Sequence, residues 1–270
     1  PEALEEFQQT LQASGLTISA LSCHGNPVHP DPAKAEEYHE DMCNTVRLAE
    51  KLGVDTITCF SGCPGDCEAS RYPNWVTCAW PDDNLDILKY QWDKVLIPYW
   101  KSFAQSAKDC GVSKIALELH PGFSVYNVDT LKRLREAVGP EIGVNFDPSH
   151  LLWQGMEPVA VIRAFAGMIY HVHAKDVCID RYNTARNGVL DTKHYSDETH
   201  RSWIFRTIGY GNDAKYWKDI FSELRKTGYD GTISIEHEDS LINRLEGLQH
   251  AVDMVKSCAI FAETSGMWWA

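Results

Sequence analysis

The feature that most constrains the fold is the alternation of short apolar strands with amphipathic helices. Six apolar and β-branched segments predict strands at Leu16–Cys23, Asp55–Ser61, Lys114–His120, Ile142–Asp147, Met168–Asp176 and Thr232–Glu238. Helices are predicted at Glu40–Leu52, Lys89–Cys110 and Ala214–Thr227, each followed by a glycine suited to the left-handed position after a helix. Apolar strands joined by helices form parallel sheets covered on both faces. A (β/α)8 barrel and an open doubly wound sheet both fit, and the lack of a Gly-x-Gly-x-x-Gly after the first strand disfavours the open sheet.

Length and charge exclude several classes of protein. The chain has 270 residues, of which 44% are hydrophobic, so it is not a disordered protein. Its 38 acidic against 25 basic residues give a net charge of −13, which argues against nonspecific binding to nucleic acid or to an anionic membrane. Apolar runs stay well short of the roughly 18 residues that a membrane span requires.

Nine cysteines are scattered through the chain, an odd number that does not suggest a disulfide framework. A reducing, cytoplasmic location is therefore expected. Cys59, Cys63 and Cys67 stand four residues apart, a spacing that matches no common zinc or iron–sulfur motif. We expect reduced thiols there rather than a structural metal.

Four consecutive predicted strands carry a carboxylate or an imidazole near their C-terminal ends. Alternate side chains share one face of a strand, and this groups the four residues Glu118, Asp147, His173 and Glu236 on inward faces. In a barrel, that end is where active sites lie. Three carboxylates packed together require a cation, and this oxygen-rich set suits Mn²⁺, Mg²⁺ or Co²⁺ and accepts Zn²⁺.

Several segments together resemble the sugar phosphate isomerase/epimerase family of xylose isomerase-like TIM barrels. They are SALSCHGNPVHPD (19–31), ALELHPG (116–122), FDPSH (146–150), HVHAKD (171–176), GYGND (209–213) and GYDGTISIEHED (228–239). The resemblance runs over nearly the whole chain. It implies a (β/α)8 barrel in which Glu118, Asp147, His173 and Glu236 bind one divalent metal, with Mn²⁺ expected. It also implies that the two glutamates are the acid/base pair and that His150 helps to polarise the substrate oxygens.

The implied reaction is isomerisation or epimerisation of a ketose or related polyol through a metal-stabilised enediolate. A carboxylate removes the proton next to the carbonyl, and the cation stabilises the charge that develops. The alternative is a metal-dependent lyase or hydratase acting on 3-keto sugars, keto-glycosides or inosose, because the same enediolate can expel a leaving group. A non-catalytic sugar-binding protein is a third interpretation from a different class.

Further candidate substrate contacts are His24 and His120, whose strands direct them towards the pocket mouth, and Lys175. The family's ketose epimerases have an arginine shortly after the metal-binding histidine. Arg181 stands two positions late for that role, so Arg206 is the candidate, with a salt bridge to a nearby carboxylate as its alternative role. The long loops Gly62–Leu88 and Val177–Phe205 are expected to shape the substrate site. Asp213 beside the GYG turn disfavours a phosphate group, so a non-phosphorylated substrate is expected.

The DNA-repair branch of the superfamily is disfavoured. Its three zinc ions need a fourth-strand histidine and a later Asp-x-His, and this chain has neither in CFSGCPGD or in residues 177–205. No nucleic-acid or membrane partner is expected. The terminal Met267–Trp269 segment indicates an apolar contact, either within the chain or with a second subunit of a homo-oligomer.

We interpret residues 1–270 as a single domain, in which six strand–helix units are visible. The four strands with candidate ligands resemble the family's fifth to eighth, so Leu16–Cys23 corresponds to its third. This count predicts that about two strand–helix units of the barrel precede the sequence.

Overall fold

The computed structural model describes residues 2–269, and its strands alternate with helices as predicted. The strands of these residues are β1 (Leu21–Cys23), β2 (Thr56–Cys59), β3 (Lys114–Glu118), β4 (Ile142–Phe146), β5 (Ile169–Ala174), β6 (Asp176–Ile179), β7 (Trp203–Arg206) and β8 (Ile233–Ile235). Six strands are hydrogen bonded in the order β1-β2-β3-β4-β5-β8. The pairs from β1 to β5 are parallel, and β6 and β7 form a separate antiparallel pair. The strands of this sheet lie side by side in the same order as they occur in the chain, as predicted for a TIM barrel.

The helices follow the strands along the chain. They are α1 (Glu2–Ser14), α2 (Pro32–Leu52), α3 (Asp83–Tyr90), α4 (Ile97–Asp109), α5 (Val128–Val138), α6 (Pro148–Trp153), α7 (Pro158–Ala164), α8 (Arg181–Asn187), α9 (Ala214–Lys226) and α10 (Arg244–Cys258). A π-helical segment, Gln91–Leu96, joins α3 to α4. Of the helices in residues 2–269, none combines the length and the apolar character needed to cross a bilayer.

The described residues divide into two compact units. The first comprises residues 2–146 and 168–172, and the second comprises residues 147–167 and 173–269. The chain passes from one to the other directly after β4 and within β5. Our interpretation of residues 1–270 as one domain stays a prediction.

The first unit is built on the register of its parallel strands. Ile57 of β2 pairs with Ile115 of β3, and Ile115 pairs with Ile142 of β4. All three isoleucines are fully buried. The same register places Glu118, at the end of β3, beside Asn145 of β4. The apolar strands therefore fix which polar side chains are neighbours at the C-terminal ends.

The second unit contains α9, whose predicted pattern is confirmed. Trp217, Ile220, Phe221 and Leu224 are all buried on one face of this helix. Asp213 caps the helix, and its Oδ1 atom accepts a hydrogen bond of 3.0 Å from the Tyr216 backbone N–H. In the same unit, the Glu236 backbone N–H donates a 3.2 Å hydrogen bond to the Ala174 carbonyl, which holds the end of β8 beside the end of β5.

Several predicted boundaries are wrong. The strand predicted at Leu16–Cys23 is reduced to β1, because Leu21 pairs with Ile57 near the start of β2 and residues 16–19 have no facing strand there. The strand predicted at Met168–Asp176 is divided between β5 and β6, and Thr232–Glu238 is reduced to β8. The helix predicted from Lys89 begins at Asp83, inside the predicted loop Gly62–Leu88. The predicted loop Val177–Phe205 contains most of β6 and β7, and α8 between them.

Candidate metal centre

Asp147 lies at the junction of β4 and α6, and the start of α6 fixes its orientation. Its Oδ1 atom caps the helix, accepting hydrogen bonds from the Ser149 backbone N–H at 2.9 Å and the Ser149 hydroxyl at 2.7 Å. The Oδ2 atom is buried and accepts no hydrogen bond. Its charged neighbours are Lys175 Nζ at 3.1 Å and His150 Nε2 at 3.5 Å. One carboxylate oxygen is thus held by the start of α6, while the other faces the Lys175 ammonium group at 3.1 Å.

His173 and Lys175 stand two residues apart at the end of β5, so they share one face. The His173 Nδ1 atom lies 2.8 Å from Oε2 of Glu236, which directly follows β8. The Lys175 Nζ atom lies 3.1 Å from Oε1 of the same carboxylate and 3.4 Å from Oε2 of Glu238. Lys175 is only 2% exposed, so its charge is held within this cluster of carboxylates.

Three of the four predicted metal ligands are brought together within the second unit. Asp147, His173 and Glu236 each offer a ligand atom, and these atoms lie within 4.8 Å of one another. Ligands at adjacent positions of an octahedral ion with bonds of about 2.1 Å are about 3 Å apart. The His173–Glu236 separation of 2.8 Å has this size. Two carboxylates and one imidazole, with one buried oxygen lacking a hydrogen bond, fit a divalent cation.

Glu118, the fourth predicted ligand, ends β3 in the first unit and is 3% exposed. Its Oε2 atom accepts a hydrogen bond of 3.2 Å from the Asn145 side-chain amide. His24 Nε2 lies 3.7 Å from the same oxygen. The roles of Glu118 as metal ligand and as acid or base stay predictions.

The predicted substrate contacts His24 and His120 belong to one aromatic cluster of the first unit. The Phe60 ring lies 4.6 Å from the His24 ring, 5.0 Å from the His120 ring and 4.3 Å from the Phe123 ring, centroid to centroid. Phe60 directly follows β2, so it stands at a strand end as the two histidines do. Phe60 was not among the residues predicted from sequence, although its position directly after an apolar strand indicates a place at the same strand ends.

Arg206 makes the salt bridge that the sequence analysis gave as its alternative role. Its Nε atom lies 3.1 Å from Oδ2 of Asp239. Burial alone would raise the pKa of Asp239, but hydrogen bonds from the backbone of Thr207 and Leu241 and from Arg206 hold it below its ordinary value. Contacts of Arg206, His150 and Lys175 with a substrate stay predictions.

Asp176, which follows Lys175, is a structural residue of the site that was not among the residues predicted from sequence. Its buried Oδ2 atom accepts hydrogen bonds from the backbone N–H groups of Gly209 at 2.9 Å, Gly211 at 3.1 Å and Asn212 at 3.0 Å. These donors form the GYGN turn before α9. The sequence signal for this contact was a carboxylate directly after the strand of His173, together with a glycine-rich turn later in the chain whose backbone N–H groups need an acceptor.

The cysteines lie outside the candidate metal centre. All nine are free thiols, and the group of side chains close enough to hold a metal within residues 2–269 contains no cysteine. Burial raises the pKa of Cys59 far above its ordinary value and that of Cys63 to about 11. Burial therefore makes these two thiols weak nucleophiles.

Comparison with known proteins identifies the family. A family model described as xylose isomerase-like TIM barrel matches residues 1–258. The chain is 43% identical over 258 residues to the uncharacterized protein YfiH of Bacillus subtilis, covering 94% of this chain and 82% of that protein. It is 27% identical over 149 residues to an inosose dehydratase of Geobacillus thermodenitrificans, covering 55% of this chain and 47% of that protein. A solved D-tagatose 3-epimerase-like protein superimposes with a TM-score of 0.63 at 18% identity, covering 96% of this chain and 84% of that one. The resemblance and the TIM-barrel fold are thereby confirmed, and the chain belongs to the xylose isomerase-like TIM barrel family.

Proposed function

We propose that this protein is a divalent-metal-dependent enzyme that isomerises or epimerises a ketose or a related polyol. The observation that carries the proposal is the grouping of Asp147, His173 and Glu236, with ligand atoms within 4.8 Å of one another, around a buried lysine. Family membership supports it, because the solved relatives of this fold include a D-tagatose 3-epimerase-like protein. The reaction class is proton transfer at the carbon next to a carbonyl.

Asp147, His173 and Glu236 would hold the metal, with Mn²⁺ as the expected ion. Glu118 enters as a fourth ligand on the strength of the sequence resemblance and of its own burial at the end of a strand. When bound, a divalent cation supplies electrostatic stabilisation of the negative charge that develops as the substrate loses its proton.

The remaining roles belong to side chains of the chain itself. Glu236 is a proton acceptor of suitable type, and Lys175 Nζ at 3.1 Å and His173 Nδ1 at 2.8 Å fix the orientation of its carboxylate. Glu118 is proposed as its partner, returning a proton to the opposite face or to the neighbouring carbon. Lys175 and His150, both beside Asp147, are the groups proposed to donate hydrogen bonds to the substrate oxygens that become negative.

A second candidate is a dehydratase that acts on a cyclic polyol ketone. The similarity to inosose dehydratases favours it, although the matched region spans about half of the length of that relative. Glu236 would remove the proton next to the carbonyl, and the electron pair left behind would form a carbon–carbon double bond as the hydroxyl group departs from the next carbon. Glu118 would donate the proton with which this group leaves as water. Both candidates use one metal and the same acid/base residues, so the two differ in the fate of the intermediate.

The test is incubation of the Mn²⁺-loaded protein with D-tagatose or an inosose in deuterated water, followed by mass spectrometry and NMR. Deuterium next to the carbonyl with an unchanged carbon and oxygen skeleton supports the isomerase or epimerase. Loss of one water per molecule supports the dehydratase. Glu236→Gln should abolish either result, and Glu238→Gln is the matched control. Binding of both compounds with neither exchange nor dehydration would contradict an enzymatic role and favour a sugar-binding protein.

A further inference from the structure

Glu118, Asn145 and His171 stand side by side on three neighbouring strands of the first unit. The register pairs Glu118, at the end of β3, with Asn145 of β4, and it pairs Asn145 with His171 of β5. All three residues are buried. Side chains of residues that are paired across a sheet point to the same face. The backbone itself therefore aligns two buried polar side chains in a row beside Glu118.

The hydrogen bonds of this row run in one direction, towards the carboxylate. The Asn145 amide donates to Oε2 of Glu118 at 3.2 Å, and its Oδ1 atom lies 3.1 Å from Nδ1 of His171. A carboxylate oxygen accepts hydrogen bonds, so the amide nitrogen of Asn145 faces Glu118 and the amide oxygen faces His171. The Ser19 hydroxyl lies 3.3 Å from Nε2 of the same imidazole. This network assigns a hydrogen to Nδ1 of His171, which donates it to Asn145.

An extra residue in β5 brings His171 into the row. The pairing of β4 with β5 shifts by one residue directly before Asn145, and Tyr170 is the residue that this shift leaves over. Gly143 leaves room for the Tyr170 ring, because a Cβ atom there would lie 2.3 Å from two of its carbons. The Arg135 guanidinium donates a hydrogen bond of 2.9 Å to the Tyr170 hydroxyl. Packing and this hydrogen bond thus fix the irregularity that sets His171 opposite Asn145.

We propose that Asn145 and His171 are positioning residues that orient the carboxyl group of Glu118 for its proton transfer. This inference rests on the proposed function, in which Glu236 removes the substrate proton and Glu118 returns one. Because the Asn145 amide donates to Oε2, the proton that Glu118 transfers is carried by Oε1. When Oε1 gives this proton to the substrate carbon, or to the departing hydroxyl group of a dehydration, Glu118 becomes a carboxylate. Its Oε2 atom keeps the hydrogen bond from Asn145, and His171 prevents the amide from turning over.

The test follows the intermediate in deuterated water, with saturating Mn²⁺ and either D-tagatose or an inosose. A poorly oriented Glu118 slows product formation, so the intermediate returns to substrate and gains deuterium once Glu236 has exchanged its proton with solvent. Asn145→Asp hardly changes the size of the side chain, but it turns a second carboxylate oxygen towards Glu118 in place of a donor. It should lower kcat for product about 100-fold and leave KM within about threefold. The ratio of deuterium in recovered substrate to product should rise at least about tenfold.

Two variants of His171 give a second measurement if Asn145→Asp does not fold. His171→Phe should shift the ratio in the same direction by a smaller amount, and His171→Asn, whose amide nitrogen can take the place of Nδ1, should restore it. Thr58→Val is the matched control, because Thr58 is buried in the same sheet and shares a hydrogen bond of 2.6 Å with Ser22. It loses a buried hydrogen bond outside the row, so the ratio should stay at the wild-type value. Circular dichroism and metal content are measured for every variant.

Two results would overturn the proposal and leave the proposed function in place. If Asn145→Asp lowers exchange and product in the same proportion, its role is structural only. If neither Asn145→Asp nor His171→Phe changes the ratio, Glu118 keeps its orientation without them. A wild-type protein that neither exchanges nor converts either compound would instead contradict the proposed function, and the positioning role would fall with it.

Discussion

The Nδ1 atom of His173 lies 2.8 Å from the Oε2 atom of Glu236, across the ends of two strands that are neighbours in the sheet but distant in the chain. This contact orients the imidazole, and Lys175 holds the other oxygen of the same carboxylate at 3.1 Å. The carboxylate of Glu236, a proposed metal ligand, therefore has a fixed orientation. The relationship makes Glu236 the residue whose replacement is most informative.

Replacing Glu236 with Gln should lower the affinity for Mn²⁺ by more than about 100-fold. Loss of an outer partner alone typically costs about 10- to 100-fold, and this change also removes a charged ligand. The measurement is elemental analysis after equilibrium dialysis. Glu238→Gln removes a carboxylate 3.4 Å from the same lysine and should retain a full equivalent of metal. Equal metal content in the two variants would count against the site.

Glu118→Gln tests the ligand that was assigned from sequence resemblance. We expect it to lower the bound Mn²⁺ measurably, because a neutral amide is a weaker ligand than a carboxylate. Glu141→Gln is the control in the same unit, since Glu141 pairs with Lys108 at 2.6 Å at the surface. If Glu118→Gln binds metal as tightly as Glu141→Gln does, Glu118 is not a ligand.

Asp176→Ala should destabilise the protein by about 3 kcal/mol or more. The substitution leaves the partly buried backbone N–H groups of Gly209, Gly211 and Asn212 without their acceptor. A lost hydrogen bond to a charged group costs about 1.5–3 kcal/mol, and three are lost together, with water replacing part of the loss. Urea unfolding followed by circular dichroism measures the change. Asp180→Ala removes an exposed helix cap and should cost only about 1 kcal/mol. Similar losses in the two variants would show that the turn tolerates the missing acceptor.

Residues 176–206, which contain β6 and β7, should lose part of their packing at low pH. Burial would raise the pKa of Asp191, but hydrogen bonds from the backbone N–H groups of Lys193 and Ser202 prevail and lower it from 3.8 to about 2. A carboxylate whose pKa is lowered by folding stabilises the folded state fully at pH values above its ordinary pKa. That stabilisation is lost as the pH falls towards the lowered pKa. We therefore expect Trp203 fluorescence to change between about pH 4 and pH 2. An Asp191→Asn variant should lack this step, and an identical transition there would contradict the assignment.

Iodoacetamide should distinguish Cys59, at the end of β2, and the cysteines of the predicted loop Gly62–Leu88 by their exposure. Cys67 and Cys78 are exposed, so they should be alkylated within minutes at pH 8. Cys63 is buried with a pKa raised to about 11, and Cys59 is fully buried, so both should stay unmodified until the protein is denatured. Peptide mass spectrometry gives the extent of labelling at each position. If a chelator made Cys59 or Cys63 react with iodoacetamide in the folded protein, a metal bound by these thiols would be indicated.

Most of the strand–helix order, and the identity of the candidate ligands, could be predicted from local pattern. Asp147 and His173 stand where an apolar strand ends, and alternation places His173 and Lys175 on one face. Strand lengths could not be predicted as well, because a strand continues only where a neighbour faces it. Leu21 pairs with Ile57, the second residue of β2. Residues 16–19 therefore lie beyond the start of β2 and have no residue of that strand to pair with.

The TIM-barrel fold, the family and the residue types available for a metal site could be predicted from the amino-acid order, because periodicity and residue chemistry are local properties of the chain. Which of these groups are neighbours depends on how distant segments pack. Arg206 contacts Asp239, and Lys175 lies among three carboxylates, Asp147 after β4 and Glu236 and Glu238 after β8. The stacking of Tyr195 on Phe205 depends on β6 and β7 pairing within a region that reads as a loop. Such contacts join residues far apart in the chain, and no local pattern records which distant partner a polar or aromatic side chain will meet.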